Sequence, residues 1–336
     1  MKSQLNLVTV AIVASLSITA TQAYADDVMI ADNDETITVI GNRLEQAIDD
    51  VSGSVTVINA KEIESIQAKD IGDLLDYTPG VDVDKDPRYG IKSINIRGLE
   101  GNYVKIKVDN VDAPAEFSSG SLITSSRIDL DIDMIKTVEI TRGPASTSQG
   151  SDAIGGLVLF QTKSASDFID GEEGFGGHVK VLYDDKTSGF RHSVALAHRS
   201  GQFDTVLSYS QADFDGADDY HKLYQENSKP KSALFKTTYF FENDDFIRFS
   251  IDWNETDNFT DPVNETDEKF EYTEDTSERI RYGVQYVGAI KTALADEVAL
   301  QLDWQEKDQD SGTYRWKGPN RFNPNAAPFG ELKDYA

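Results

Sequence analysis

Val138-Glu139-Ile140-Thr141-Arg142-Gly143-Pro144-Ala145-Ser146, followed by Gly150-Ser151-Asp152-Ala153-Ile154-Gly155-Gly156, is the stretch whose reading decides the fold. A short alternating strand runs into Gly-Pro, a turn of small residues follows, and the Gly-Gly pair opens another strand over residues 157–161. Just upstream, Ile94-Asn95-Ile96-Arg97-Gly98-Leu99 and Val104-Lys105-Ile106-Lys107-Val108-Asp109-Asn110 add two more alternating strands, joined by a turn that contains Gly98 and Gly101. Residues 91–160 therefore read as a compact, glycine-turned unit.

Working outward to the N-terminal side, Val55-Thr56-Val57-Ile58 is a short strand and Asn59 is placed to cap a helix. Its side-chain oxygen can accept a first-turn amide, and Glu62 three residues on completes a capping box, with Ile63 and Ile66 as the apolar positions. Asp70 repeats the device ahead of residues 71–77, where Leu74 and Leu75 face the core. Pro79-Gly80 ends that helix, because proline has no amide hydrogen and glycine accepts left-handed angles. Val81-Asp82-Val83-Asp84 starts a strand, followed by a polar loop at residues 85–90; residues 112–126 form a second, longer loop.

From Phe175 onward the pattern changes to strands with one apolar and one polar face. In residues 246–254, Ile247, Phe249, Ile251 and Trp253 alternate with Arg248, Ser250, Asp252 and Asn254. Charges at such spacing on the inward face do not suit a dry core but do suit a water-filled lumen. Similar alternation runs through residues 203–211, 233–241, 280–288 and 298–305, with Tyr239, Phe241, Trp253 and Trp304 near strand ends, where an interfacial aromatic girdle would lie. A soluble β-sandwich also has alternating strands. Connection lengths separate the two readings: residues 198–202 and 242–245 are tight turns, whereas 212–231 and 255–278 are long and acidic, the pattern of outer-membrane barrels. About seven strands are expected, the first beginning near Phe175 and the seventh ending near Gln309.

The chain of 336 residues carries 59 acidic and 32 basic side chains, a net charge of -27, and no cysteine. This balance argues against a nucleic-acid partner, which needs lysine and arginine to displace counterions. The lack of cysteine removes disulfide scaffolds and thiolate metal sites. Residues 1–25 read as a secretory signal: Lys2 at the start, an apolar-rich core over residues 5–20, and Ala23-Tyr24-Ala25 as the cleavage site. That core, interrupted by Asn6, Thr9, Ser15 and Ser17, falls short of the roughly 20 apolar residues of a membrane helix. After it, Asp34-Glu35-Thr36-Ile37-Thr38-Val39-Ile40-Gly41 alternates as a strand flanked by charge.

The motifs in residues 91–160, with their spacing, resemble the plug domain of TonB-dependent outer-membrane receptors. The resemblance implies a mixed α+β plug followed by an antiparallel transmembrane β-barrel. Residues 1–25 are then the signal peptide, 26–50 a periplasmic TonB-box segment, 51–168 the plug and 169–336 the N-terminal part of the barrel. Barrels of this kind close with about 22 strands, so a count near seven implies a truncated wall. Glu35, Thr36, Ile37, Thr38, Val39 and Ile40 become the TonB box, which a periplasmic TonB protein captures as an added strand. Arg97, Glu139 and Arg142 become residues that lock the plug to the barrel through charge-assisted hydrogen bonds.

The string from Arg142 to Phe168 most resembles the heme and hemoprotein receptor branch, in which a plug histidine commonly ligates heme. Here the four histidines are His178, His192, His198 and His221, and none lies in the plug. His192 and His198 alternate with Val194 and Leu196, which places them on the apolar face of a wall strand. Candidate ligand-binding residues are Arg88, Tyr89, Phe117, Tyr220, His221 and Tyr224, with a tyrosine phenolate as a possible iron ligand. Heme, a hemoprotein or a ferric siderophore or other chelate would be cargo, not a cofactor. A passive porin-like protein is the competing class. No catalytic residues and no metal site are assigned: Asp213, Asp215, Asp218 and Asp219 have the oxygen chemistry for Ca2+, but solvated loop carboxylates are commoner. The expected location is the bacterial outer membrane, with its lipid as a further partner.

Overall fold

The computed structural model describes residues 38–39, 46–47, 54–86, 88–114, 118–119, 123–124, 126–145, 153–171, 173–185, 188–215, 224–243, 245–262, 271–290, 297–316 and 331–335. The chain begins with β1 (Thr38–Val39) paired antiparallel to β2 (Gln46–Ala47). Next come β3 (Ser54–Ile58), α1 (Ala60–Ile66) and α2 (Ile71–Leu75). Both helix starts follow the sequence reading. Asn59 accepts from the Glu62 amide while Glu62 accepts from the Asn59 amide, each at 3.0 Å, and Asp70 accepts from the Asp73 amide at 2.9 Å. The second helix stops at Leu75, two residues short of expectation, because the Thr78 amide turns back to the Leu75 carbonyl and tightens the last turn.

A hairpin of β4 (Val81–Asp86) and β5 (Gly90–Ile96) replaces the shorter strand and polar loop read from sequence. Then follow β6 (Val104–Val108), β7 (Val111–Asp112), β8 (Ser118–Ser119), β9 (Ile123–Thr124), β10 (Ile135–Arg142) and β11 (Gly156–Thr162). One five-stranded sheet has the order β3-β10-β11-β6-β7, with only β11 and β6 parallel. Gly156 is needed where β10 and β11 approach, since a Cβ there would lie 2.4 Å from the Thr141 carbonyl oxygen. Apolar side chains from the helices and strands, among them Leu74, Leu75, Ile94, Val104, Ile140 and Phe160, form one closed core under this sheet.

The second part is a single antiparallel sheet in sequence order: β12 (Gly174–Asp184), β13 (Gly189–Ser200), β14 (Phe203–Asp215), β15 (Tyr224–Phe240), β16 (Phe246–Pro262), β17 (Glu271–Ala289), β18 (Glu297–Trp316) and β19 (Glu331–Tyr335). Seven strands are long, and β19 is a short eighth that the sequence reading did not count. Strand parity sorts the side chains. Phe175, Val179, Leu207, Val284 and Leu302 are exposed on one face, while Ala195, Val206, Leu234, Asp252 and Arg281 are buried against the first part on the other.

The strands also run well past their expected ends. Much of residues 212–231 and 255–278, read as loops, is paired strand: Thr256 faces Ser277, Asp257 faces Thr276, and Asn258 faces Asp275. From Glu255 to Asn258, and in the residues 275–278 that face them, the side chains are polar on both faces, so alternation lapses while the backbone ladder continues.

Candidate plug-to-wall interface and ligand cavity

The tip of the β4–β5 hairpin is shaped by Asp86, whose Oδ1 accepts the amides of Arg88 at 2.8 Å and Tyr89 at 3.3 Å. The tip is thereby presented to the wall. Arg88 makes a two-pronged contact, Nε to Asp275 Oδ2 and Nη2 to Asp275 Oδ1, both 2.9 Å, and its carbonyl accepts from Asn258 Nδ2 at 2.9 Å. The Arg88 guanidinium also lies over the Tyr89 ring, 5.0 Å from its centroid. Tyr89 is buried, and that burial pushes its phenol above the ordinary value. Around the tip is a cavity of about 480 Å3, lined by Arg88, Tyr89 and Ile128 from the first part and by Phe214, Asn227 and Asn254 from the wall.

A second contact zone comes from Asp129-Leu130-Asp131-Ile132-Asp133, where carboxylates alternate with apolar residues. Ile132 enters the core and Asp131 and Asp133 meet the wall. Arg191 Nη1 is 3.2 Å from Asp131 Oδ1 and 3.8 Å from Asp133 Oδ2, and its Nη2 donates to the Lys69 carbonyl at 2.6 Å. Lys180 reaches Asp133 Oδ1 at 2.6 Å. Burial alone would raise the Asp133 carboxyl, but Arg191 and Lys180 outweigh it and hold it below the usual range.

The third zone is the β6–β7 turn, in which Asp109 and Asn110 take φ of 50° and 67°, the left-handed pair that closes a two-residue hairpin. Asp109 Oδ1 accepts the Thr162 amide at 2.9 Å, and Oδ2 accepts the Thr162 hydroxyl at 2.7 Å. Oδ2 also lies 3.1 Å from Lys236 and 3.3 Å from Arg281. Burial opposes ionisation here too, yet these two cations and the Thr162 donors keep Asp109 well below the usual carboxylate range.

Behind this turn, Asp252 holds two arginines through one oxygen: Oδ2 is 2.8 Å from Arg279 Nη2 and 3.2 Å from Arg281 Nη2. Each arginine then grips plug backbone, Arg279 at the Asp129 carbonyl (2.7 Å) and Arg281 at the Val108 carbonyl (2.6 Å). Lys307 binds the Ser126 carbonyl and the Asp129 carboxylate. The seam is thus built from buried, mutually compensated charges, which is the condition under which such charges are tolerated.

The residues expected to lock the plug are placed otherwise. Arg142 Nη1 hydrogen-bonds within the plug sheet, to Thr56 at 2.9 Å and Ser54 at 3.4 Å; Glu139 is buried in that sheet; Arg97 is exposed, with a left-handed backbone at φ 53°. The described ion pairs to the wall come instead from Lys69, Arg88, Asp109, Asp129, Asp131 and Asp133. The Asp-x-Asp-x-Asp alternation was a usable signal for the last three. Of the ligand candidates, Arg88 and Tyr89 are brought together but are engaged at the seam. Phe117, Tyr220 and His221 lie outside the described residues, as does the Tyr224 side chain. Within the TonB-box segment, only Thr38 and Val39 are described, paired with Gln46 and Ala47; Glu35, Thr36, Ile37 and Ile40 lie outside. Asp213 and Asp215 accept from Asn227, and Asp213 also meets Lys229; Asp218 and Asp219 are not described. His198 stacks on Phe175 at 4.2 Å on the outer face, as strand parity required.

Comparison with known proteins gives a consistent picture. The sequence profile of the TonB-dependent Receptor Plug Domain matches residues 47–157. Transferrin-binding protein A of Haemophilus influenzae is 33% identical over 187 residues, covering 53% of this chain and 20% of that protein. Hemoglobin and hemoglobin-haptoglobin-binding protein C of Haemophilus influenzae is 30% identical over 192 residues, covering 54% and 18%. The ferric preacinetobactin receptor BauA of Acinetobacter baumannii superposes with a TM-score of 0.55 at 13% identity, covering 89% of this chain and 55% of that one, and so shares the fold. The chain spans about a fifth of the length of the curated relatives it matches. A plug-type sheet is thus seated by ion pairs on a serial antiparallel wall, and residues 47–157 of the chain match the TonB-dependent Receptor Plug Domain.

Proposed function

We propose that the protein acts in the outer membrane as a receptor for TonB-energised uptake of iron from an iron-carrying protein or its heme. The observation that carries this reading is the roughly 30% identity to receptors named for transferrin and hemoglobin, across more than half of the chain. The siderophore receptors share the fold at much lower identity, so a ferric chelate is the weaker alternative.

The geometry is compatible with such a role. Along β16 the outer face is apolar at Ile247, Phe249, Ile251 and Trp253 and becomes charged at Glu255, so residues 246–254 come close to the 9–11 residues that a tilted strand needs to cross a bilayer. Lipid therefore meets the exposed valines, leucines and aromatics, while the plug fills the lumen. Connections at residues 201–202, 241–245 and 290–296 fall at one end; at the other, after a short connection at 185–188, those at 216–223, 263–270 and 317–330 are longer. The short end is periplasmic, and the cavity around Tyr89 opens toward the long hairpins. The segment from Glu35 to Ile40 is the TonB contact.

The test uses the full-length receptor in cells with no other route for heme or transferrin iron. Ile37→Pro and Val39→Pro each remove an amide donor from the strand that TonB would pair with. Growth on hemoglobin or transferrin as iron source is expected to be lost while surface binding of the same protein is retained. Unimpaired growth with both variants would remove the coupling role, and wild-type cells that use neither iron source would remove the reading itself.

A further inference from the structure

The inner face of the wall is more basic than the rest of this acidic chain. Along β15–β18 the cations fall in successive cross-strand rows. Arg248 shares a row with Thr238 and Gln285; Lys236 shares the next with Ser250 and Gly283; Arg281 follows beside Asp252; Arg279 and Lys307 share the fourth with Asn254. Rows on one face are two residues apart, so the four rungs extend about 20 Å along the strands. Arg248 lies nearest the short turn at residues 241–245, and Lys307 nearest the long hairpins.

Five cations share this stretch with two wall carboxylates, Asp252 and Asp303. The plug makes up the difference: Asp109 lies against Lys236 and Arg281, and Asp129 against Lys307. Beside the Lys236 rung, Gly283 contributes no side chain, and a small cavity of about 30 Å3 lies between Asp109, Lys236, Arg248 and Arg281. Arg248 itself donates to Thr238 at 3.1 Å and has no hydrogen bond or ion pair to the plug among the described residues. The plug's Asp109 and Asp167 act on it only through longer-range attraction.

We propose that Arg248, Lys236, Arg281 and the Arg279–Lys307 pair form a ladder that binds an anionic iron complex during passage, with the plug carboxylates of Asp109 and Asp129 as stand-ins for that anion in the closed state. Once the plug shifts, the wall keeps a row of buried or half-buried cations whose counterions have left, and a carboxylate-bearing cargo satisfies them. A bare ferric ion is repelled by the same surface. The inference rests on the uptake role proposed above and specifies the charge of what crosses: heme, with two propionates, fits, and a free cation does not.

The experiment follows uptake of heme and of its uncharged dimethyl ester by the full-length receptor, with surface affinity measured separately. Arg248→Gln is the central variant, because Arg248 does not hold the plug. It is expected to slow heme uptake about tenfold, with ester uptake and surface affinity unchanged, and Arg248→Lys should restore the rate. Lys236→Gln and Asp109→Asn break the same ion pair from opposite sides. A tether alone predicts the same effect from both, whereas a ladder predicts slower heme uptake from Lys236→Gln and no slowing from Asp109→Asn. Wild-type heme uptake in Arg248→Gln, or equal slowing of heme and ester, would overturn the proposal. So would a wild-type receptor that supplies iron from transferrin while excluding heme. A wild type that takes up iron from no source would instead sink the receptor reading and the ladder with it.

Discussion

The plug's own interior and its seam with the wall are held by opposite kinds of chemistry. Inside, Ile71, Leu74, Leu75, Ile94, Ile140 and Phe160 are almost wholly buried and pack together in one apolar cluster. At the seam, Arg281, Asp252, Arg191, Asp131 and Lys236 are nearly as buried but are paired as ions. Apolar burial is non-directional and does not depend on a particular partner atom, so the plug can keep its fold whatever surrounds it. An ion pair is exchangeable, because each member can be satisfied by water or by another charge. The difference teaches which surface is built to part: the plug can leave the wall without first losing its core.

The largest effect should come from attacking the interior. Phe160→Ala deletes a fully buried ring and is expected to destabilise the plug by about 4 kcal/mol. Pulse proteolysis of the full-length receptor in urea should show the plug cleaved at lower denaturant while the wall stays intact. Equal loss of both parts would mean that they fold as one unit and that the comparison fails.

A somewhat smaller effect, of a different kind, is expected from Asp252→Ala. It leaves Arg279 and Arg281 facing each other without their shared carboxylate, a loss of about 3 kcal/mol concentrated at the seam. Cells should become permeable to large antibiotics that the outer membrane normally excludes, while the plug core keeps its wild-type resistance to protease. Core destabilisation comparable to Phe160→Ala would show that seam and interior are not separable.

Acid provides the mildest test. The Asp109 and Asp133 carboxyls are depressed in the folded protein, so their contribution is fully present above the ordinary aspartate value near 4 and is lost as pH falls through the lowered values. Between pH 7 and 5 the seam should not change. Below about pH 4 it should loosen before the core, which contains no titratable group in its apolar cluster, seen as leak through the reconstituted full-length receptor preceding loss of plug protease resistance. A seam that weakens on going from pH 7 to 5 would point to groups other than these carboxyls.

Local order was legible residue by residue. The Asn59–Glu62 box and the Asp70 cap could be read because both partners lie within one turn, and the strands of residues 203–211 and 246–254 because apolar and polar side chains alternate along them. The same logic explains the misread hairpins. From Glu255 to Asn258 both faces are polar, the alternation lapses, and only pairing with residues 275–278 reveals the strand.

By itself, then, the sequence determined the resemblance of the plug, the starts of both helices, the two faces of the wall strands where polarity alternates and the apolar positions of the core, all from spacings of a few residues. Only the tertiary structure decided which charges meet. Arg88 and Asp275 are 187 residues apart, and Arg281 and Asp109 are 172 apart. An aspartate on a short strand looks the same whether its counterpart is water, a neighbour in its own sheet or an arginine on a distant wall. Arg142 shows this from the other side, because the position singled out for locking turns to Thr56 within the plug. Periodicity says which face a side chain occupies. What stands opposite that face depends on how the plug sheet docks onto the wall, and that docking is fixed by the whole set of long-range contacts at once.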